Sequence, residues 1–98
     1  MRITVTARHG DIPDELRVRA HDQLERIAKL AHRPQHADVV FDQDHGKKIV
    51  EMQLAMPRGL VKIATAEADD FRSALDRAAD KLRSQLDKLP ERSRRPVA

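Results

Sequence analysis

The hydrophobic positions of this chain repeat with two periods, and the changes of period mark out six elements. Arg2 to Arg8, RITVTAR, alternates: Ile3, Val5 and Ala7 face one way, and Arg2, Thr4, Thr6 and Arg8 the other. A period of two is that of a half-buried strand. From about Pro13 to Ala31 the period lengthens, and Leu16, Ala20, Leu24, Ile27 and Ala31 form one helical stripe. Pro13 suits the first turn, where its missing N–H would be unpaired anyway, and Asp14 and Glu15 favour the positive end. Pro34 is expected to end this helix. Alternation returns at Ala37 to Asp42, with Ala37, Val39 and Phe41 inward, and at Lys48 to Met56, with Val50, Met52, Leu54 and Met56 inward. Between them, Asp42-Gln43-Asp44-His45-Gly46 reads as a hairpin loop. Pro57-Arg58-Gly59 turns the chain into a fourth strand, Leu60 to Glu67. Its register stays open: either Val61 and Ile63 or Leu60, Ala64 and Ala66 could face the core, and a slip of one residue exchanges the faces.

The last element, Asp70 to Leu89, is the strongest. Phe71, Ala74, Leu75, Ala78, Leu82, Leu86 and Leu89 recur at spacings of three and four, which puts them on one buried stripe. Asp69 or Asp70 is placed to cap the N-terminus, and Pro90 to stop the helix. The two polar edges differ. Arg77, Lys81, Ser84 and Lys88 fall along one edge, which carries no acid. Asp76, Asp80 and Asp87 fall toward the other, with Arg72 and Arg83 among them. Such edges are either a solvated face laced with ion pairs or a rail of cations for a polyanion. The first helix carries a basic flank too, with Arg19, Arg26 and Arg33 seven residues apart.

The order β-α-β-β-β-α implies a right-handed crossover with strands one and two parallel. Short connections then make strands two, three and four an antiparallel meander. Both apolar stripes are buried if both helices lie on one face of the sheet, giving an α/β (α+β) two-layer sandwich on a four-stranded mixed sheet. The other face is left to solvent with Arg2, Thr4, Arg8, Asp38, Asp42, Glu51 and Gln53. Residues 1–89 make the domain, and 90–98, PERSRRPVA, read as a basic, disordered tail.

Composition narrows the chemistry. With 98 residues, 40% hydrophobic and 36% charged, the chain is one small globular domain with a heavily charged surface. It has no cysteine, so disulfides and thiolate metal sites are excluded. No run approaches a membrane span of roughly 18 residues, and MRITVTARHG has no apolar signal core; a cytoplasmic protein is expected. Carboxylates alternate before Gly46 as in a calcium loop, but the glycine comes one position early and no Glu stands at the twelfth position. His32 and His36 have helical ligand spacing, but Pro34 lies between them. The three glycines sit at turns, so no phosphate-cradling loop exists. No constellation for acid–base or nucleophilic catalysis is present. A non-enzymatic binding domain without cofactor or metal is expected.

The formal net charge is +3, and its location matters more than its size. Residues 1–69 hold 11 Lys+Arg and 11 Asp+Glu, whereas residues 70–98 hold 8 and 5. A basic C-terminal third points to an anionic partner, most simply nucleic acid. Phe41 and Phe71 are the only aromatics, both on core faces, and there is no Tyr or Trp. Stacking of splayed bases on the sheet is therefore excluded. Nucleic acid would be held through phosphates, sugars and shape by Arg and Lys on helix edges.

Residues 1 to about 89 resemble the ribosome hibernation promoting factor family, also known as ribosome-associated inhibitor A or the sigma-54 modulation proteins. MRITVTAR resembles its opening strand, IPDELR with LERIAKL its first helix, and VEMQL its third strand. DFRSALDRAADKLRSQLDK is similar to its most distinctive signature. The resemblance implies the same fold and binding to the small ribosomal subunit and its rRNA, in the channel of mRNA and the A- and P-site tRNAs. It also implies silencing of translation in stationary phase or stress. On that reading Lys81 and Lys88 fall on rRNA-contacting positions and Arg26 on a commonly basic one. With the edges read above, the expected rRNA-binding set is Arg77, Lys81, Lys88, Arg26, Arg19 and Arg83. The chain departs from the pattern at Arg72 for an aromatic, Ser84 for Arg, Gln23 for Lys and Pro13 for Thr. It resembles a short form, monomeric off the ribosome. A regulatory protein-interaction module, acting for example on a sigma factor, and a generic double-stranded RNA binder stay open as alternatives.

Overall fold

The computed structural model describes the backbone of residues 1–8 and 10–94 and the side chains of residues 1–8 and 10–86. Six elements follow in the expected order: β1 (Arg2–Ala7), α1 (Asp14–Ala28), β2 (His36–Asp44), β3 (Lys47–Met56), β4 (Leu60–Ala68) and α2 (Phe71–Arg94). The strands form one sheet in the order β1-β2-β3-β4. β1 and β2 are parallel, and the other two pairs antiparallel. Both helices pack on one face, and the core between the layers is entirely apolar among the described residues. Phe41 on β2 meets Phe71 edge-on, with ring centroids 5.5 Å apart, a favoured geometry for two quadrupoles.

Several boundaries differ from the sequence expectation, each for a local reason. α1 ends at Ala28 and not at Ala31. Leu30 and Ala31 donate to Ile27 and Ala28, tightening the chain into a turn, and Arg33 adopts a left-handed φ of 55°. Pro34 disfavours a helical residue before it, so the unwinding starts upstream of Arg33, which leaves the α1 flank. The β2–β3 loop is only His45-Gly46, both with positive φ (52° and 82°). That is the two-residue turn whose twist matches a hairpin, and it extends both strands. α2 continues through Pro90 to Arg94. A proline there removes one hydrogen bond to the preceding turn, but an established helix needs no new nucleus to propagate beyond it. The Leu89 side chain and residues 95–98 of the expected tail lie outside the described residues.

The open register of β4 resolves toward Ala64 and Ala66, while Leu60 of the same set, at the strand's start, is 47% exposed. Ala64, Ala66 and Ala68 face the helices and are buried, while Val61 and Ile63 point to the open face and are 41% and 48% exposed. Ala74 and Ala78 of α2 are fully buried. Small residues on both surfaces let α2 lie close over β4, and that closeness shapes the site described next.

Candidate polyanion interface

Topology fixes the direction of each helix. α1 returns against β1 in the crossover to parallel β2. β4 runs parallel to β2, and α2 returns against it. The two helices therefore run in the same direction, side by side, and a seven-residue step on one matches a seven-residue step on the other.

Near their starts the helices are clamped together. Arg19 Nε and Nη2 donate to the two carboxylate oxygens of Asp76 at 3.1 and 3.0 Å. Gln23 Nε2 adds a third bond to Asp76 at 2.8 Å. Its own Oε1 is buried without a hydrogen-bond partner among the described residues. The fork-to-fork geometry of Arg19 and Asp76 is the strong form of an ion pair. Arg19, expected on rRNA, is thus engaged in joining the helices. Hydrogen bonds from Arg19 chiefly, and from Gln23, hold the Asp76 carboxyl below its ordinary pKa despite opposing desolvation.

That shift has a pH consequence. Asp76 binds protons less readily folded than unfolded, where its pKa is about 4. The unfolded chain therefore takes up more protons in acid, and the clamp's contribution is present above that value and lost as pH falls through the folded one. Asp76→Asn should destabilise the protein at neutral pH, and the gap to wild type should narrow on acidification below about pH 4. Urea melts at a series of pH values read this directly; a gap independent of pH would show the carboxylate charge to be irrelevant.

Seven residues further along the two helices stand Arg26 and Arg83, both exposed and with no acidic partner among the described residues. Lys29 follows Arg26 at the α1 C-terminus. The parallel helices thus bring Arg26 and Arg83 to the same level, with Lys29 just beyond. Sequence spacing placed Arg83 on the acidic edge of α2; the fold places that edge against α1.

On its other flank α2 seals the outer edge of β4. Arg77 donates to the Glu67 carbonyl at 3.0 Å, Lys81 to Thr65 at 2.8 Å and Gln85 to Ile63 at 2.8 Å. Four helical residues rise about 6 Å and two strand residues about 6.7 Å. The near match lets one ladder hold over three rungs. An edge strand otherwise offers unpaired carbonyls to other chains. Carbonyls carry no net charge, so Arg77 and Lys81 keep their full cationic charge at an exposed position. Gln85 was missed in the sequence, although its i,i+4 spacing from Lys81 marked it. The Lys88 side chain lies outside the described residues.

Other candidates are ordinary. Asp70 caps α2, accepting the Ser73 N–H at 2.9 Å and its hydroxyl at 2.9 Å, and these bonds lower its pKa. Asp69 instead pairs with Lys47 at 3.0 Å. His36 lies 3.6 Å from Asp38, on a strand and not on a helix face with His32. His21, Asp22 and Glu25 form an exposed group on α1, in which His21 and Glu25 are an i,i+4 pair at 3.9 Å.

Charge is segregated between the faces. The open sheet face carries Arg2, Arg8 and Lys47 against Asp38, Asp42, Asp44, Glu51, Glu67 and Asp69. Among the described side chains that leaves twelve Lys and Arg and eight Asp and Glu to the helices, the loops and the helical face of the sheet. The modest net charge therefore conceals an anionic sheet face and a more basic remainder.

A two-layer sandwich with one cationic helical side has the form of a polyanion-binding module. The chain belongs to the sigma 54 modulation protein / S30EA ribosomal protein family, whose model matches residues 3–94. It is 29% identical over 92 residues to a ribosome hibernation promoting factor of Pseudomonas putida, covering 94% of this chain and 89% of that one. A factor of the same name from Azotobacter vinelandii is 28% identical over 92 residues, 94% of this chain and 85% of its own. Among solved structures, a ribosomal subunit interface protein from Coxiella burnetii superposes with a TM-score of 0.80 at 30% identity, covering 92% of this chain and 98% of that chain. The Protein Y N-terminal domain of Thermus thermophilus gives 0.76 at 28% identity, covering 90% and 98%. No helix among the described residues is long and apolar enough to cross a membrane.

Proposed function

We propose that this chain is a ribosome hibernation factor that occupies the mRNA and tRNA channel of the small subunit and holds its rRNA through the helical side. The observation that carries this reading is the charge segregation. The helical side holds the excess of cations, while the sheet face would repel phosphate. Arg26, Arg83 and Lys29 supply cations with no acidic partner among the described residues, and Arg77 and Lys81 extend the surface along the β4 flank. The ladder fixes those two side chains before contact, so less rotamer entropy is lost on binding. Arg19 acts at one remove, by holding the helices in register. The names of the relatives support the ribosome as the target.

Phosphate contacts release condensed counterions, so affinity falls steeply with salt. Purified small subunits should carry the protein down a sucrose gradient in low salt and release it as salt rises. Protein that stays at the top of the gradient in low salt would overturn the reading.

A further inference from the structure

The open face of the sheet differs in chemistry from the helical side, and the rRNA reading does not use it. Its lower β3–β4 corner is apolar. Val61 lies opposite Ala55, and Ile63 opposite Gln53; both β-branched side chains are among the exposed large hydrophobics of the described residues. Beside this corner stand two carboxylates. Asp38 is paired across the sheet with Gln53, and Glu51 is two residues from Gln53 on the same strand. They are diagonal neighbours, about 7–8 Å apart at the backbone. Neither has a Lys or Arg partner among the described residues; Asp38 has only His36, at 3.6 Å.

We infer that this corner docks an extended, Lys/Arg-rich protein segment, which places an aliphatic side chain on Val61 and Ile63 and its cations on Asp38 and Glu51. Three observations select that occupant. Acids outnumber bases two to one on this face, which repels a nucleic-acid backbone and attracts a cationic chain. The apolar pair on β4 lies one to two strand spacings from the acidic pair on β3 and β2, within reach of the every-second residues that an extended peptide turns to one face. Three β4 carbonyls, of Ile63, Thr65 and Glu67, already accept from Gln85, Lys81 and Arg77, so along that stretch the segment lies on the face and does not add to the edge. The inference stands apart from the rRNA reading, because it uses the opposite face and different residues.

The test is fluorescence anisotropy, at low salt, with a labelled peptide that carries arginine and valine in turn at every second residue with threonine between, so that both kinds of side chain face the sheet. Wild type should bind it, and Asp38→Asn with Glu51→Gln should weaken binding about tenfold or more. Ile63→Thr keeps a β-branched shape and should also weaken it. Asp14→Asn with Glu15→Gln removes the same number of charges from the start of α1 and should leave binding unchanged. Amide shifts on titration should centre on residues 51, 61 and 63. Absence of binding, or equal weakening by the α1 pair, overturns the inference. So does loss of small-subunit binding in the Asp38/Glu51 variant with peptide binding intact, which would assign the face to RNA. Concentration-dependent dimerisation abolished by Ile63→Thr, with no peptide binding, would assign it to a second copy and also overturn it.

Discussion

Leu82→Ala should cost about 2–5 kcal/mol of stability, a large share of the roughly 5–15 kcal/mol of a typical domain. Leu82 is fully buried in the middle of α2, packed in the core that the helices share with β3 and β4. Truncation removes the transfer energy of its methyl groups and leaves a cavity that the surrounding elements cannot close freely. The β4 ladder and the Arg19–Asp76 clamp pin α2 along both flanks, so the helix cannot settle into the void. The loss should therefore lie in the upper half of the range. Chemical denaturation measures it, and a change within about 0.5 kcal/mol, the size of a surface substitution, would show that the buried face of α2 has been misassigned.

The fold was legible because each element satisfies its own period. Alternation in RITVTAR and the three-and-four spacing from Phe71 to Leu86 each admit one reading, and element order with short connections then leaves few topologies. The register of β4 was not legible for an energetic reason. Burying Val61 and Ile63 removes more apolar area from water than burying Ala64 and Ala66, so local hydrophobicity points the wrong way or nowhere. The deciding term is tertiary. Alanines on β4 oppose alanines on α2, and the close approach gains packing and the three-rung ladder.

The interface was legible only as a list of cations. Sequence periodicity sorted Arg77 and Lys81 onto an edge without acids, and the structure keeps them on one flank. It could not show that β4 carbonyls anchor them, because that depends on which strand lies under the helix. The same limit hid the clamp. Asp76 and Arg19 are 57 residues apart in the chain, and nothing local to either announces the other. Spacing along α2 puts Arg83 on the edge that carries Asp76 and Asp80. Against a parallel α1 that edge also faces Arg26, and the charge is restored to a basic surface from the other helix.

Replacing Arg26, Lys29 and Arg83 by alanine should produce the largest functional loss. All three are exposed and lack acidic partners among the described residues, and alanine retains helix propensity. Stability should change little; Arg26 lies in the last turn of α1, where a cation favours the negative end by about 0.3–1 kcal/mol. If three phosphate contacts vanish, the slope of log affinity against log salt should flatten by roughly two to three units, and small-subunit affinity in moderate salt should fall at least about tenfold. Inhibition of a cell-free translation system should fall in parallel. Arg77, Lys81 and Gln85 changed to alanine give a different signature. Binding should weaken, and stability should fall as well, because three β4 carbonyls lose their partners. The control is Asp22→Ala with Asp80→Ala, two exposed helix acids, which should leave inhibition intact or raise it. Gradient sedimentation with salt titration, paired with denaturation of each variant, separates the outcomes. If the Arg26/Lys29/Arg83 variant binds with wild-type affinity and slope, the helical side is not the rRNA surface, whatever the family to which the chain belongs.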